Sequence, residues 1–276
     1  DNINQGLQAD TITLGSALKP ITLVLDSDYK PVGSHYVATT ATHQRHTENG
    51  WLLRGTLGHK QIGSYSKLSN TGLHLSAKYE LRPLDVPSAL QLGWSQTWLD
   101  QRLDRRLPSL EWQSQLGKDE RDWKLHAQVQ QLQHQTNSTE NARTYALRVT
   151  RQYRWTANTS GLMGAGWLSD QARQQRAGGD RQGHTLQFTL QHVLPQGPLQ
   201  LHWSQVRWTS GQDFSPNLVD YRRQNTTTQW SLSQQIKISP HSYFYLEFQR
   251  TAAQDNVPLY QHTSNSLMAG WIQQWR

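Results

Sequence analysis

The chain has no cysteine, which excludes a disulfide framework and any thiolate-based metal or catalytic centre. A periplasmic route is compatible with that absence. Nowhere do eighteen apolar residues run together, so no helix of this chain can span a bilayer. Hydrophobic residues make up only 35% of the 276, where nearly half is usual for a globular domain. A water-filled barrel with a polar interior explains that deficit better than a soluble all-β domain with its own core. The signatures G-x-S-x-G, H-E-x-x-H, G-x-G-x-x-G and the P-loop are also missing. The chain is expected not to be an enzyme, and to carry no cofactor and no metal. It opens on Asp1-Asn2-Ile3-Asn4, which lacks the charged-then-apolar order of a signal peptide. The sequence is thus expected to be mature, or trimmed from something longer.

What is present is aromatic and cationic. Twelve Trp and ten Tyr argue against disorder, which is aromatic-poor. They suit a membrane interface, where an indole keeps its ring in lipid and its N–H among headgroups. Twenty-seven Lys and Arg against 20 Asp and Glu give a net charge of +7. Nucleic acid is not the expected partner, because these cations fall singly along strands and form no stripe.

The governing pattern is alternation with period 2, the signature of strands rather than of 3.6-period helices. In the closing stretch, Thr263 to Arg276, Leu267, Ala269, Trp271 and Trp275 share one face. The clearest case sets Leu73, Leu75, Ala77, Tyr79 and Leu81 against His74, Ser76, Lys78, Glu80 and Arg82. The same sorting sets Trp123, Leu125, Ala127 and Val129 against Lys124, His126, Gln128 and Gln130. Around Ser160 to Ser169 the glycines blur the pattern, although Met163, Ala165 and Trp167 stay in phase. Val206 and Trp208 fall one residue out of phase, which predicts a bulge near Gln205. Short turns such as Glu48-Asn49-Gly50 and Pro195-Gln196-Gly197-Pro198 alternate with long polar connections around Asp28, Ser64, Arg102, Asn137, Gly178, Phe214 and Asp255. The expected fold is all-β: a transmembrane antiparallel up-and-down barrel of about 14 strands, apolar outside and polar inside, in the bacterial outer membrane. Residues 1–19 are expected to be a periplasmic stub or linker and residues 20–276 the barrel, with Pro20 to Leu25 as the first stave. Both ends are expected on the short-turn, periplasmic side.

The polar face of those strands is the expected transport path. Its candidate residues are Arg54, Lys78, Glu80, Arg82, Lys124, His126, Arg148, Arg154, Lys237 and Glu247. Glu80, Glu111 and Glu247 are expected to offset the lumen cations. His43 and His46 are three apart, which on a strand points them to opposite faces and argues against joint metal ligation. Asp26 and Asp28 could ligate calcium, and a polar loop mouth explains them as well. His262-Thr263-Ser264-Asn265 has the residue types of an outer-membrane phospholipase site, but no companion motif accompanies it.

One hairpin carries a resemblance. Glu247-Phe248-Gln249-Arg250, then Asp255-Asn256-Val257-Pro258-Leu259-Tyr260, then a closing aromatic strand resembles the C-terminal barrel of tetratricopeptide-barrel outer-membrane exporters. That group includes the surface lipoprotein assembly modifiers (Slam) and the exopolysaccharide exporters of the PgaA and BcsC kind. The strand count of about fourteen favours Slam over the sixteen of the polysaccharide exporters. Arg276 departs from the terminal aromatic of such barrels. The resemblance implies an export channel for surface lipoproteins or secreted proteins, with exopolysaccharide export or passive diffusion as alternatives. It implies as partners the cargo, an upstream periplasmic tetratricopeptide domain, the barrel assembly machinery, and outer-membrane lipids including lipopolysaccharide. The family motif residues it singles out are Glu247, Arg250, Asp255, Asn256, Pro258 and Tyr260.

Overall fold

The computed structural model describes residues 11–14, 21–24, 33–117, 123–215 and 219–275. Two short strands, β1 (Thr11–Leu14) and β2 (Ile21–Val24), pair antiparallel as a sheet of their own. Thirteen further strands form one antiparallel sheet in strict sequence order. They are β3 (Tyr36–His46), β4 (Trp51–Ile62), β5 (Asn70–Leu81), β6 (Ser88–Leu99), β7 (Arg102–Leu116), β8 (Trp123–His134), β9 (Ala142–Arg154), β10 (Thr159–Ala172), β11 (Arg181–Leu194), β12 (Gly197–Ser215), β13 (Val219–Ser239), β14 (Ser242–Asp255) and β15 (His262–Gln273). The sheet curls until its edges meet, where Tyr36 Oη and Ser266 Oγ lie 3.0 Å apart. The fold is therefore the all-β up-and-down barrel that the alternation implies.

The register fixes the two faces. Paired residues share a face, so Gly55, Leu75 and Trp94 line up across β4–β6, and Leu110, Val129 and Tyr145 across β7–β9. This face carries the exposed large hydrophobics, including Leu53, Leu75, Leu92, Leu110, Leu147, Leu186, Leu232 and Phe248. So much exposed apolar surface is stable only against lipid. Aromatics rim the band at both ends. Trp94, Trp167 and Trp230 are exposed towards the long connections, and Trp51, Tyr79, Trp123, Trp155 and Trp271 lie towards the short turns. The residues between them in sequence face inward and are mostly polar, with Leu52, Leu162 and Leu168 among the exceptions.

Local chemistry sets the turns. Gly50 adopts φ 79°, a left-handed conformation that glycine takes at little cost. This closes the β3–β4 turn with Thr47 N–H donating to the Trp51 carbonyl at 2.8 Å. At the opposite end, Asp100 and Gln101 both have positive φ and join β6 to β7 directly, as a two-residue hairpin turn does. The expected long loop from Leu99 to Leu107 is thus mostly strand. The same holds for Thr209 to Arg223, where β12 continues to Ser215 and β13 starts at Val219. Polar Thr, Gln and Arg read as loop in sequence, but here they belong to hairpins that project beyond the membrane. At about 3.3 Å per residue, the 21 residues of β13 extend roughly 70 Å, well over the length a tilted crossing needs.

Three further expectations are corrected. Ile21–Val24 is not a stave of the large sheet, because it pairs with Thr11–Leu14. With thirteen strands the first and last run in the same direction. The sheet therefore starts among the long connections and ends among the short turns, and β1 lies beside the Pro258–Tyr260 turn. Finally, the β11–β12 ladder is unbroken from Leu199 to Ser210, so there is no bulge at Gln205. The register shifts come later, between Thr209 and Ser215, and Val206 and Trp208 face inward. The expected loops around Asp28 and the turn residues Lys118, Asp119 and Glu120 lie outside the described residues.

Replacing Leu75, 46% exposed in mid-belt, by Arg is expected to destabilise the barrel by about 2–4 kcal/mol. The inward control Ser76→Arg should cost much less. Urea titrations of refolding into vesicles measure both, and equal losses would refute the face assignment.

Candidate functional site

The inner wall has two halves. From β4 to β9 it is cationic. Arg54 stands opposite Gln44 and Ser76, Lys78 opposite Leu52 and Gln91, Lys124 opposite Gln115 and Thr150, and Arg148 opposite His126 and Gly166. From β11 to β14 it is chiefly Gln, Ser and Thr, as in the inward rows Thr189–His202–Ser231–Gln249 and Gln187–Ser204–Gln229–Thr251. Lys237 and Glu247 are inward there, beside Tyr243 and Ser233 respectively.

The structure gathers some of the candidates and separates others. A cavity of about 540 Å³ near the short turns is lined by Lys78, Glu80, Arg82, Gln113, Gln115 and Lys124. Lys78 Nζ is 3.5 Å from Glu80 Oε1, with Lys78 partly and Glu80 well exposed, so the pair contributes little to stability. Arg82 lies just past β5, at the entry to a short helical turn over Pro83–Asp85. Higher up, Glu111 Oε1 is 3.5 Å from His126 Nδ1, and His126 Nε2 is 3.2 Å from Thr150 Oγ1. Arg148 Nη1 donates to Gln187 Oε1 at 3.5 Å, reaching across β10. Gly164 lets them meet, since a Cβ there would come within 2.9 Å of both Gln187 and Thr150. Two of the glycines that blurred this strand's alternation, Gly164 and Gly166, are therefore inward residues, whereas Gly161 faces outward. Arg54, Arg154, Lys237 and Glu247 stand apart from these groups.

A second assembly closes over the hairpin tips, on the inward face at the end of the long connections. Its centre is Arg223. Its Nε donates to Asp255 Oδ2 at 2.8 Å, and the Asp255 side chain is fully buried. Asn225 Nδ2 donates to the same oxygen at 3.1 Å and the Val257 N–H to Oδ1 at 2.9 Å. The guanidinium lies 3.4 Å from the Tyr260 ring centroid and 5.0 Å from that of Trp208. Val219 and Val257 form a small core packed by Phe214, Tyr221, Leu259 and Tyr260. Asn256 ties the two hairpins further, its Nδ2 donating to the Arg222 carbonyl at 2.8 Å and its Oδ1 accepting from the Gln224 N–H at 2.7 Å. Pro258 opens the turn that brings Tyr260 over Arg223.

Four of the motif residues, Asp255, Asn256, Pro258 and Tyr260, thus build one lock, whereas Glu247 and Arg250 take no part in it. Arg250 faces outward beside Trp230 and Asn265. The partner residue Arg223 escapes a reading of the sequence, because nothing in that polar stretch marks it except the neighbouring Val219 and Tyr221. Beside the lock, Arg176 donates to Asp170 Oδ1 at 3.2 Å and to the Gly179 carbonyl at 3.1 Å. Arg181 lies over the Trp208 ring, 3.6 Å from Glu140. Burial pushes the pKa of Arg181 down, with nearby Arg176 adding to the effect, while Glu140 and Asp170 oppose it. Burial also raises the pKa of Tyr221, helped by Asp220 and Asp255.

The remaining candidates do not assemble. His262 and Ser264 face inward and Thr263 and Asn265 outward, as alternation along β15 requires. His43 pairs with Gly55 on the outer face and His46 with Leu52 on the inner. Among the described residues no three His, Asp or Glu gather as a metal site would need. Asp26 and Asp28 lie outside the described residues.

No family model and no curated protein matches the chain. A solved structure described as a NanC porin in a rhombohedral crystal form is similar over 86% of this chain and 99% of its own, at 9% sequence identity and a TM-score of 0.45.

Asp255→Ala leaves Arg223 buried without its carboxylate, a change that costs about 3–5 kcal/mol for such pairs. Hydrogen exchange is expected to quicken at residues 219–225 and 255–260 while the belt amides of β5 and β6 stay protected. Unchanged exchange at the tips would show that the lock does not hold them.

Proposed function

We propose that this chain forms a translocation channel in the bacterial outer membrane, through which a surface-destined protein or lipoprotein leaves the cell. The observation that carries the reading is a polar, hydrogen-bonded lumen enclosed by an apolar belt between two aromatic rims. Such an object conducts polar matter across lipid and does little else. The Gln, Ser and Thr half of the wall supports a moving, hydrated chain, since it offers donors and acceptors but little net charge to hold one. The lock supports export under control, because it ties the tips of β12–β15 together on the lumen side of the outer mouth. The resemblance of Glu247–Arg250 and Asp255–Tyr260 to the tetratricopeptide-barrel exporters supports protein cargo. Under this reading the upstream tetratricopeptide domain delivers that cargo, and the barrel assembly machinery inserts the barrel.

The cationic β4–β9 half favours a second reading, export of an acidic polysaccharide. Single-channel recording of the purified protein in planar bilayers tests the proposal. We expect a mostly closed channel with brief openings, and altered conductance in Lys78→Glu/Lys124→Glu/Arg148→Glu without loss of the folded barrel. A large, permanently open conductance would replace the export channel with a passive porin. Cells secreting a polysaccharide but no protein through it would favour the second reading.

A further inference from the structure

The outer face differs at its two rims. At the short-turn end the last outward residues are mainly aromatic, and Arg151 there lies 5.4 Å from the Trp123 ring centroid and 5.2 Å from that of Tyr153. Arg45, also outward, stands on the edge strand β3. At the long-connection end the outward positions above the last apolar residue read differently. Above Pro108 on β7 comes Arg106, above Tyr145 on β9 comes Arg143, and above Phe248 on β14 comes Arg250. On β12, Arg207 stands two outward positions above Trp203, and His59 and His184 occupy the same level on β4 and β11. The first outward positions on the other strands, such as Gln96, Gln131, Ser169, Thr228 and Asn265, are neutral.

Among the described residues the acid nearest this collar in sequence, Asp104 two residues past Arg106 on β7, is engaged by Arg105 and His134 of the inward row. Glu80, Glu111, Asp170, Glu247 and Asp255 are all on the inner face. Among the described residues, no ion pair or ring contact engages Arg106, Arg143, Arg207 or Arg250. Arg106 Nε is enclosed and has no hydrogen-bond partner there. The collar is therefore a ring of unneutralised guanidinium groups at headgroup height. Guanidinium binds phosphate oxygens through paired N–H donors, so phosphate is the anion it fits best. In a bilayer the only phosphates held permanently at that height belong to lipid headgroups.

We propose that this collar binds the phosphates of a phosphorylated outer-leaflet glycolipid of the lipid A type. Arg106 and Arg143 form one seat, two strands and two residues apart or roughly 12 Å, whereas Arg207 and Arg250, offset by four residues across β13, stand roughly 16 Å apart. The Arg106–Arg143 spacing suits a headgroup that carries a phosphate at either end better than one with a single phosphate. The inference rests on the apolar band being embedded in a membrane. It also gives that membrane a polarity, with the long connections on the glycolipid side.

The test is thermal unfolding of the whole chain in nanodiscs of phosphatidylcholine alone, with lipid A, or with phosphatidylglycerol at equal charge. Lipid A is expected to raise the midpoint by several degrees, and phosphatidylglycerol by much less. Arg106→Gln/Arg143→Gln/Arg207→Gln/Arg250→Gln should match the unchanged protein in phosphatidylcholine and lose most of the lipid A increment. The lumen variant Arg54→Gln/Lys124→Gln should keep it. An increment retained by the collar variant, or one equal in phosphatidylglycerol, overturns the glycolipid seat. Failure of the protein to enter any nanodisc would instead overturn the membrane reading.

Discussion

Inside hydrocarbon no water is available to satisfy a backbone N–H or carbonyl, so each strand must be paired on both sides. Everything else in this barrel follows from that requirement. It selects an antiparallel meander with consecutive neighbours, because short turns keep each new strand beside the last. It also singles out one weak line. β3 and β15 run parallel and share no backbone ladder among the described residues; they meet through the Tyr36 and Ser266 hydroxyls. Exposure is raised on both sides of that line, with Val37 at 67% and Leu267 at 72%, whereas no outward leucine in the middle of the sheet exceeds the 53% of Leu57.

Once pairing is fixed, the pleat decides the chemistry of each surface. Adjacent residues face opposite solvents, so a strand can carry Leu75 into lipid and Ser76 into water without any core of its own. This is why a chain so poor in apolar residues folds at all. It also explains where the charges go. Within the belt Glu80 and Glu111 fall on the inner face, where water and the Lys and Arg of β4–β9 surround them. The outer face of the belt keeps guanidinium and imidazole mostly near its rims, with His43 in the Leu75 row on the edge strand as an exception.

That regularity is what made the fold legible. Alternation from Leu73 to Arg82 assigns both faces of β5, and the same rule assigns the inward placement of Lys124, His126 and Arg148. The errors arose where the rule says nothing. Ile21, Thr22, Leu23 and Val24 alternate as well as any stave, but alternation does not name a partner, and these residues pair with Thr11–Leu14. Val206 and Trp208 broke the outward apolar phase because Trp208 serves the lock beneath Arg181 and Arg223, not because the ladder slips. Phe214 to Arg223 read as loop because polarity resembles exposure. In fact the polar residues there serve a projecting hairpin, and Phe214 and Tyr221 pack against Val219 and Val257.

The lock is a consequence of that projection. A two-stranded ribbon in water has little stability of its own, because its hydrogen bonds compete with solvent and it buries almost nothing. β12 and β13 leave the belt and continue for many residues, so they need an anchor that the membrane cannot supply. Val219 and Val257, each 1% exposed, provide a core, but a small one. Arg223 extends it by joining the two hairpins at a single group. It takes a buried carboxylate from β14, a ring from the β14–β15 turn and another from β12. A lysine in its place would keep the charge but lose the planar face that stacks on Tyr260. The motif from Asp255 to Tyr260 therefore follows from how far the neighbouring hairpin rises above the lipid. In a barrel whose strands ended at the belt, those residues would have nothing to hold.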